Sequence, residues 1–478
     1  MQFNSFVFLG FFAVLVGLYY VLPQRWRWPL LLVASYYFYA QFQLTYVLLL
    51  AYSTACAYGI GVLLERREAN RRALMWLGVG LQLAVLFLFK YVNFFAELLE
   101  GAMAPFASAE ALALPRLDWL LPAGLSFFVF SAISYVVDVY RRTIPAERHL
   151  GHFALYLAFF PKLVSGPIER AGPFLAQLKA GATFQSAHVV FGLQMLLWGM
   201  FKKVVIADRL AEFVNAGFTN PDFQSPVSLI VAVYFYAFQI YCDFSGYSDM
   251  AIGLAAILGF RLMENFKRPY FSRSVPEFWS QRWHISLSHW FRDYIYIPMG
   301  GSRVARPRWY LNQMTVFLVS GLWHGANLTF VIWGALNGLY QVLYLMLGGA
   351  RRAISSRLPV VLWSALGIFV TFHLVLISWI FFRASSVQQA WTVLTRIGGS
   401  VAMLPQLLGS YNWTGSFWLA LGLIGVLVIV EALDEFRSLW TWLGRRSIAV
   451  RWGFYYALLI GLVVIGNWGM SQFVYMQF

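Results

Sequence analysis

About eleven stretches of this chain are apolar over the roughly 20 residues a helix needs to cross a bilayer, and nothing else constrains the fold as much. They lie near 3–22, 28–42, 44–64, 73–95, 119–140, 186–207, 226–260, 311–346, 359–382, 414–432 and 452–470. The composition agrees: of 478 residues, 60% are hydrophobic and 12% charged, where a soluble domain has about 45–50% and about 25%. The expected fold is an all-α polytopic membrane protein with about 11 transmembrane helices in one domain, residues 1–478. Two runs, 226–260 and 311–346, are too long for one simple span and are candidates for a break. Pro161, Pro167 and Pro173 interrupt the apolar piece 150–178, which reads as re-entrant or half-buried.

Formal charge is +15, and the basic residues fall in short clusters between spans, as the positive-inside rule requires. That pattern points to membrane lipid rather than nucleic acid as the partner of the charge. It places Glu65 to Arg72 and Arg261 to Arg308 on the cytoplasmic side and the weakly charged 96–117 connection outside. Cys56 and Cys242 lie in apolar runs and read as packing residues. The charges near the N-terminus follow the first apolar run, which suits a retained span rather than a cleaved signal. No Walker A, G-x-G-x-x-G, H-E-x-x-H or G-x-S-x-G pattern occurs, and no metal site is expected.

The segment RSVPEFWSQRWHISLSHWFRDYIYIPMGGSR, from Arg273, carries the most information. Ser274 and Glu277 form a capping box with Pro276 in the first turn, and Pro298, Gly300 and Gly301 supply a stop. These signals predict one helix over 275–297. On it Trp279, Trp283, Leu287, Trp290 and Tyr294 share a stripe. His284 flanks that stripe above Ser288 and faces packed protein, while His289 turns toward water or headgroups with Arg282 and Asp293. Nine Lys/Arg face three acids across 261–308. That charge serves either to hold the loop against anionic lipid or to receive the phosphates of a ligand, for which Arg282, Arg292, Lys267 and Arg303 are the candidates.

His324 stands in SGLWHGANLTFVIWG, in a run from Leu311 to Leu347 with no other ionisable group but tyrosine. An ionisable group at membrane depth usually faces a cavity and has a function. Gly321 and Gly325 allow another backbone, or a substrate, to come close. Asn327 lies one turn on, where it could hold one ring nitrogen and leave the other free as a base. A hydrogen-bonded packing histidine is the alternative. Asp243 and Asp249 sit in a further apolar run and are expected to be structural, paired with Arg or Lys of the basic segment. Asp138, Lys90 and Glu431 lie near span ends, within reach of the interface.

RWHISLSHWFRDYIYIPMGGSR and GLWHGANLTFVIWG resemble the two signature segments of the membrane-bound O-acyltransferase family, and within it the bacterial alginate O-acetyltransferase branch. YCDFSGYSDMAIGLAAILGFRLMENFKRPY, FPKLVSGPIER and the tail FVYMQF extend the likeness. The resemblance implies a ring of tilted spans, with re-entrant or broken helices around a central tunnel, in the bacterial inner membrane. It implies a cytoplasmic-side motif segment over 261–310 and a catalytic histidine segment over 311–346. His324 would be catalytic, His284 a second functional position, and Trp283, Trp290, Ser288 and Trp323 part of the tunnel lining. No cofactor would be bound. Acetyl-CoA would be the donor for O-acetylation of an exopolysaccharide, completed by an extracytoplasmic esterase-like partner within a polysaccharide biosynthesis complex. Peptidoglycan O-acetylation and D-alanyl transfer to teichoic acid stay open. So does a polysaccharide transporter using Asp243, Asp249 and His324 as a proton relay, although no internal repeat supports it.

Overall fold

The structure is a computed structural model that describes residues 1–106, 114–117, 119–436, 438–469 and 473–474. Among these residues the regular structure is helical, without strands. Seven helices are long and apolar enough to cross a membrane by length and composition, and four shorter apolar helices accompany them. This is a multi-pass membrane protein. Residues 475–478 of the FVYMQF tail and the middle of the 96–117 connection lie outside the described residues.

The centre is the helix Pro226–Ile257, 32 residues long and buried over most of its surface. Ser225 caps it, accepting from Ser228 N at 3.1 Å, and Pro226 occupies its first turn. The expected break in 226–260 is absent: with about 1.5 Å rise per residue the helix stays continuous through the core. Antiparallel to it runs Ser186–Met200, which passes through a π-helical turn, Phe201–Ala207, into Asp208–Thr219. The two helices meet backbone to backbone. A Cβ on Gly192 would lie 2.5 Å from the carbonyl oxygen of Gly253, and one on Gly199 2.6 Å from that of Gly246. Glycine is the residue that permits so close an approach.

The π turn directs two lysines into this contact. Lys203 Nζ lies 2.7 Å from Asp243 Oδ1 and 2.8 Å from Asp208 Oδ1, and Lys202 Nζ lies 2.6 Å from Asp249 Oδ2. The two acids are therefore paired within the membrane domain, but by this neighbouring helix and not by the basic segment 261–308. A buried charge keeps its ionised form only with such a partner.

Elsewhere helices occupy the apolar runs, and seven of the eleven runs hold a helix long and apolar enough to cross a membrane. Val47–Arg66 and Arg71–Lys90 are tied at mid-depth by Ser53 Oγ donating to Gln82 Oε1 at 2.6 Å. The 150–178 piece breaks into the short helices Leu150–Ala158, Phe160–Leu163 and Ala171–Ala180. The first two of these are almost wholly buried from Phe153 onward. The 311–346 run is broken, as its length suggested, into Arg306–His324 and Leu328–Met346.

Candidate active site

Two turns, one at each signature segment, bring imidazoles into the core. The first is a break in the expected 275–297 helix. Its start is as read: Ser274 Oγ accepts from Glu277 N at 3.3 Å, while the Glu277 carboxylate reaches back to Arg273 N at 2.9 Å. The helix then widens into a π turn, Phe278–Arg282, and stops. His284 adopts φ +44° and ψ 54°, left-handed for a residue with a side chain. That conformation costs about 1–2 kcal/mol and persists only where the surroundings over-determine it.

The surroundings do so here. Ile285 N donates to Asn265 O at 3.0 Å, and Ser286 N and Oγ donate to Asn265 Oδ1 at 3.2 and 2.9 Å. Asn265 Nδ2 in turn donates to Ser248 Oγ at 3.2 Å. Lys267 N closes the loop on Arg282 O at 2.9 Å. Ser288 Oγ spans the break to Trp279 O at 2.5 Å.

The break divides the tryptophan stripe. Trp283 turns toward Phe278, Phe266 and Trp379. Trp290 stacks on Phe130 with centroids 3.8 Å apart and donates Nε1–H to Phe130 O at 2.9 Å. Trp283 is fully buried beside His284; Trp290 packs against a different helix, Leu125–Tyr140. His284 is buried as expected, against Phe244 and Phe127. His289 is only half-exposed.

The second turn ends the helix Arg306–His324. Gly321 and Gly325 act as the sequence suggested, admitting a close neighbour: a Cβ on Gly321 would meet the Phe330 carbonyl oxygen at 2.3 Å. One on Gly325 would strike the Phe330 ring at 2.0 Å. The imidazole of His324 is buried among Trp323, Trp333 and Phe382, with ring centroids 5.0, 4.9 and 5.1 Å away.

Asn327 does not have the expected place. Its Oδ1 caps the following helix by accepting from Thr329 N at 3.0 Å, and its Nδ2 donates to Ser385 O at 3.0 Å. A cap must point along the helix it begins, which carries the carboxamide away from orienting the imidazole.

Trp323 joins the two turns, since its indole lies 6.0 Å from the His284 ring and 5.0 Å from that of His324. The indole N–H groups of Trp283, Trp323 and Trp333 are buried without a hydrogen-bond partner among the described residues. Buried donors left unused call for an explanation, and a ligand carbonyl is one.

A cavity of about 940 Å³ opens beside this nest. Lys202, Arg261, Lys267 and Arg268 line it together with Asp249, Glu264, Glu431 and Asp434, and its apolar wall includes Tyr241 and Phe266. The Phe266 ring lies 6.4 Å from that of His284, so one aromatic side chain separates cavity from imidazole. Neither histidine is among its lining residues. Burial pushes the Glu264 carboxyl up, against the opposing pull of Lys267 and Arg268.

Of the four basic candidates for phosphate, only Lys267 lines the cavity. Arg282 is held by Glu277 and Glu435 at 2.7 and 2.8 Å. Arg292 pairs with its neighbour Asp293 at 2.8 Å, and Arg303 is exposed. Sequence reasoning missed Arg268, which is paired with Asp434 and Glu435. It also missed Asn265, whose signal was its position inside the long matching segment from Tyr241.

Of the groups expected to reach the interface, Glu431 is internal and Lys90 is partly buried. Glu431 is buried and accepts from the Tyr241 hydroxyl. Lys90 donates to the carbonyls of Trp323 and His324, at 2.5 and 3.1 Å. Asp138 accepts from Tyr294 Oη at 2.8 Å. Among the described residues no group of three or more His, Cys, Asp or Glu could hold a metal ion.

Comparison with known proteins supplies the family. Residues 31–387 match the profile of the membrane-bound O-acyltransferase family. A probable alginate O-acetylase of Pseudomonas putida is 42% identical over 396 residues, covering 82% of this chain and 79% of its own length. A peptidoglycan O-acetyltransferase of Helicobacter pylori is 33% identical over 406 residues, covering 79% and 74%. A teichoic acid D-alanyltransferase of Bacillus subtilis is 26% identical over 263 residues, covering 53% and 66%. The chain belongs to the membrane-bound O-acyltransferase family and is an O-acyltransferase.

Proposed function

We propose that this enzyme takes an acetyl group from a cytoplasmic thioester, most simply acetyl-CoA, and delivers it to hydroxyls of an extracytoplasmic polysaccharide. Alginate or a similar exopolysaccharide is the favoured acceptor, on the 42% identity to the Pseudomonas putida protein. The observation that carries the reading is the pair of buried imidazoles meeting at Trp323, with unused indole N–H donors around them.

In this reading the donor enters the cavity from the cytoplasm, its phosphates near Lys267 and Arg261. The acyl end passes Phe266 toward His284, and an acceptor hydroxyl approaches His324. His324 removes the hydroxyl proton as the oxygen attacks the thioester carbonyl. In this reading His284 and the indole N–H groups stabilise the oxyanion in a dry site, where such donors are strongest. Collapse breaks the C–S bond, and the proton on His324 returns to the departing thiolate, giving an ester and free thiol. Out of the four basic candidates, Arg282, Arg292 and Arg303 stay engaged in ion pairs or at the surface and act on the donor only from a distance. The enzyme works in the bacterial inner membrane, beside an extracytoplasmic esterase-like partner, as one component of a polysaccharide biosynthesis complex.

The test is complementation. A bacterium making alginate but lacking its own O-acetylase would receive this gene, with its partner proteins kept, and ester acetate per uronate would be measured. Restored acetate in the wild type and none with His324→Ala, at equal membrane abundance, is the expected result. Labelled glycan entering vesicles without acetyl transfer would favour a transporter and sink the reading.

A further inference from the structure

The helix that carries His324 ends at that residue, and a helix end leaves its last carbonyls without donors from its own turns. The segment that follows usually meets some of them. Here Gly325 N bonds back to Gly321 O at 3.3 Å, and the Asn327 side chain is spent on the next helix. The next three carbonyls are met from elsewhere. Tyr91 Oη donates to Leu322 O at 2.8 Å, and Lys90 Nζ donates to Trp323 O at 2.5 Å and to His324 O at 3.1 Å.

Both donors come from one place, the carboxyl end of the Arg71–Lys90 helix. The ammonium also lies 5.9 Å over the ring of Trp323, the indole shared by the two imidazoles. A cation against the carboxyl end of a helix is stabilised by the aligned peptide dipoles. The opposite end of the same helix does a related job. Arg71 Nη2 donates to Val139 O at 3.0 Å and Tyr140 O at 2.8 Å, at the end of Leu125–Tyr140. One helix thus closes two others, and one of those bears His324.

We propose that Lys90, seconded by Tyr91, is a positioning residue for acyl transfer, a clamp on the turn from which the His324 imidazole projects. Lys90 acts through the backbone, and its bonds to the carbonyls of Trp323 and His324 set the angle at which that ring meets the acceptor hydroxyl. Misplacement of a reacting group by about 1 Å can cost about 10²-fold in rate. The clamp rests on the assignment of His324 under the proposed function.

The experiment uses membrane vesicles holding the full chain with its partner system, titrated with radiolabelled acetyl-CoA in the presence of polymer. Lys90→Met keeps the apolar stem and removes the donors. The expected result is a kcat about 10–100-fold lower with KM for acetyl-CoA within about twofold, unchanged membrane yield, and a melting temperature in detergent lowered by a few degrees but still well above the assay temperature. Lys90→Arg, which keeps charge and donors, should recover much of the lost kcat. A wild-type kcat for Lys90→Met overturns the clamp, and so does a loss confined to KM. Should Lys90→Met not accumulate, Tyr91→Phe is read in the same assay. A kcat about threefold lower or more at unchanged KM supports the clamp, and a wild-type kcat overturns it. His324→Ala runs in parallel. If it keeps turnover, the assignment of His324 fails and takes the clamp with it; if it is inactive while Lys90→Met is unimpaired, the clamp alone fails.

Discussion

His284 stands where a short helix begins, and His324 stands where a longer one ends. The first turn therefore exposes backbone donors, which Asn265 collects with its side-chain and main-chain oxygens. The second exposes acceptors, which Lys90 and Tyr91 collect. The His284 turn is held by many contacts, several from its own 261–308 neighbourhood, including the Arg282 pair with Glu277. Among the described residues, the last carbonyls at the His324 turn are met by donors from more than 200 residues away in sequence. Many local bonds tolerate the loss of one, whereas a few distant ones do not. The first turn should therefore be robust and the second sensitive.

The largest effect that would test this contrast is at His324 itself. His324→Ala should lower acetyl transfer by about a thousandfold, the scale of a lost general base, with membrane abundance unchanged. His284→Ala should cost about 10²-fold in the same acetate assay, as loss of an oxyanion donor does. A companion, His284→Gly, separates chemistry from strain: glycine accepts the left-handed turn freely, so its melting temperature should equal or exceed that of the alanine variant while activity stays lost. If glycine is the less stable of the two, the backbone at 284 is not where the turn stores its cost.

Asn265→Ala should fall next. It removes the acceptor for Ser286 N and Oγ, a loss of about 1–3 kcal/mol read as a lower melting temperature, with activity down about tenfold. The smallest effect is expected at Asn327. Asn327→Ala removes a helix cap, costing about 1 kcal/mol of stability, and leaves the acetylation rate within about twofold of wild type. A drop as large as that of His284→Ala would return Asn327 to the role the sequence suggested.

The spans were legible because lipid demands long apolar helices, and Ser274 with Glu277 marked the start of the motif segment correctly. The break at His284 was not legible. Nothing in QRWHIS disfavours a helix locally, and the left-handed turn is imposed by Asn265 from outside the segment. Gly321 and Gly325 announced a close approach correctly, since a missing side chain next to an apolar run has few other uses. Asn327 misled because a one-turn spacing suits a neighbour on the same helix, and here a helix ends and another begins between the two residues. Lys90 and Glu431 were assigned to the interface because sequence shows distance from a span's end but not what the neighbouring helix presents.

The lysines of the π turn bear on how the protein is made. A charged side chain at mid-membrane costs about 2.5–3.5 kcal/mol on insertion scales, and Ser186–Thr219 carries Lys202 and Lys203 while Pro226–Ile257 carries Asp243 and Asp249. Each helix alone is a poor guest for lipid, but as partners each buried lysine meets an aspartate of the other helix. During synthesis the earlier helix gains from waiting at the insertion machinery until its successor emerges, so that the two enter the bilayer as a hairpin already neutralised. A variant stripped of both lysines would enter more easily by itself and leave two stranded carboxylates in its partner.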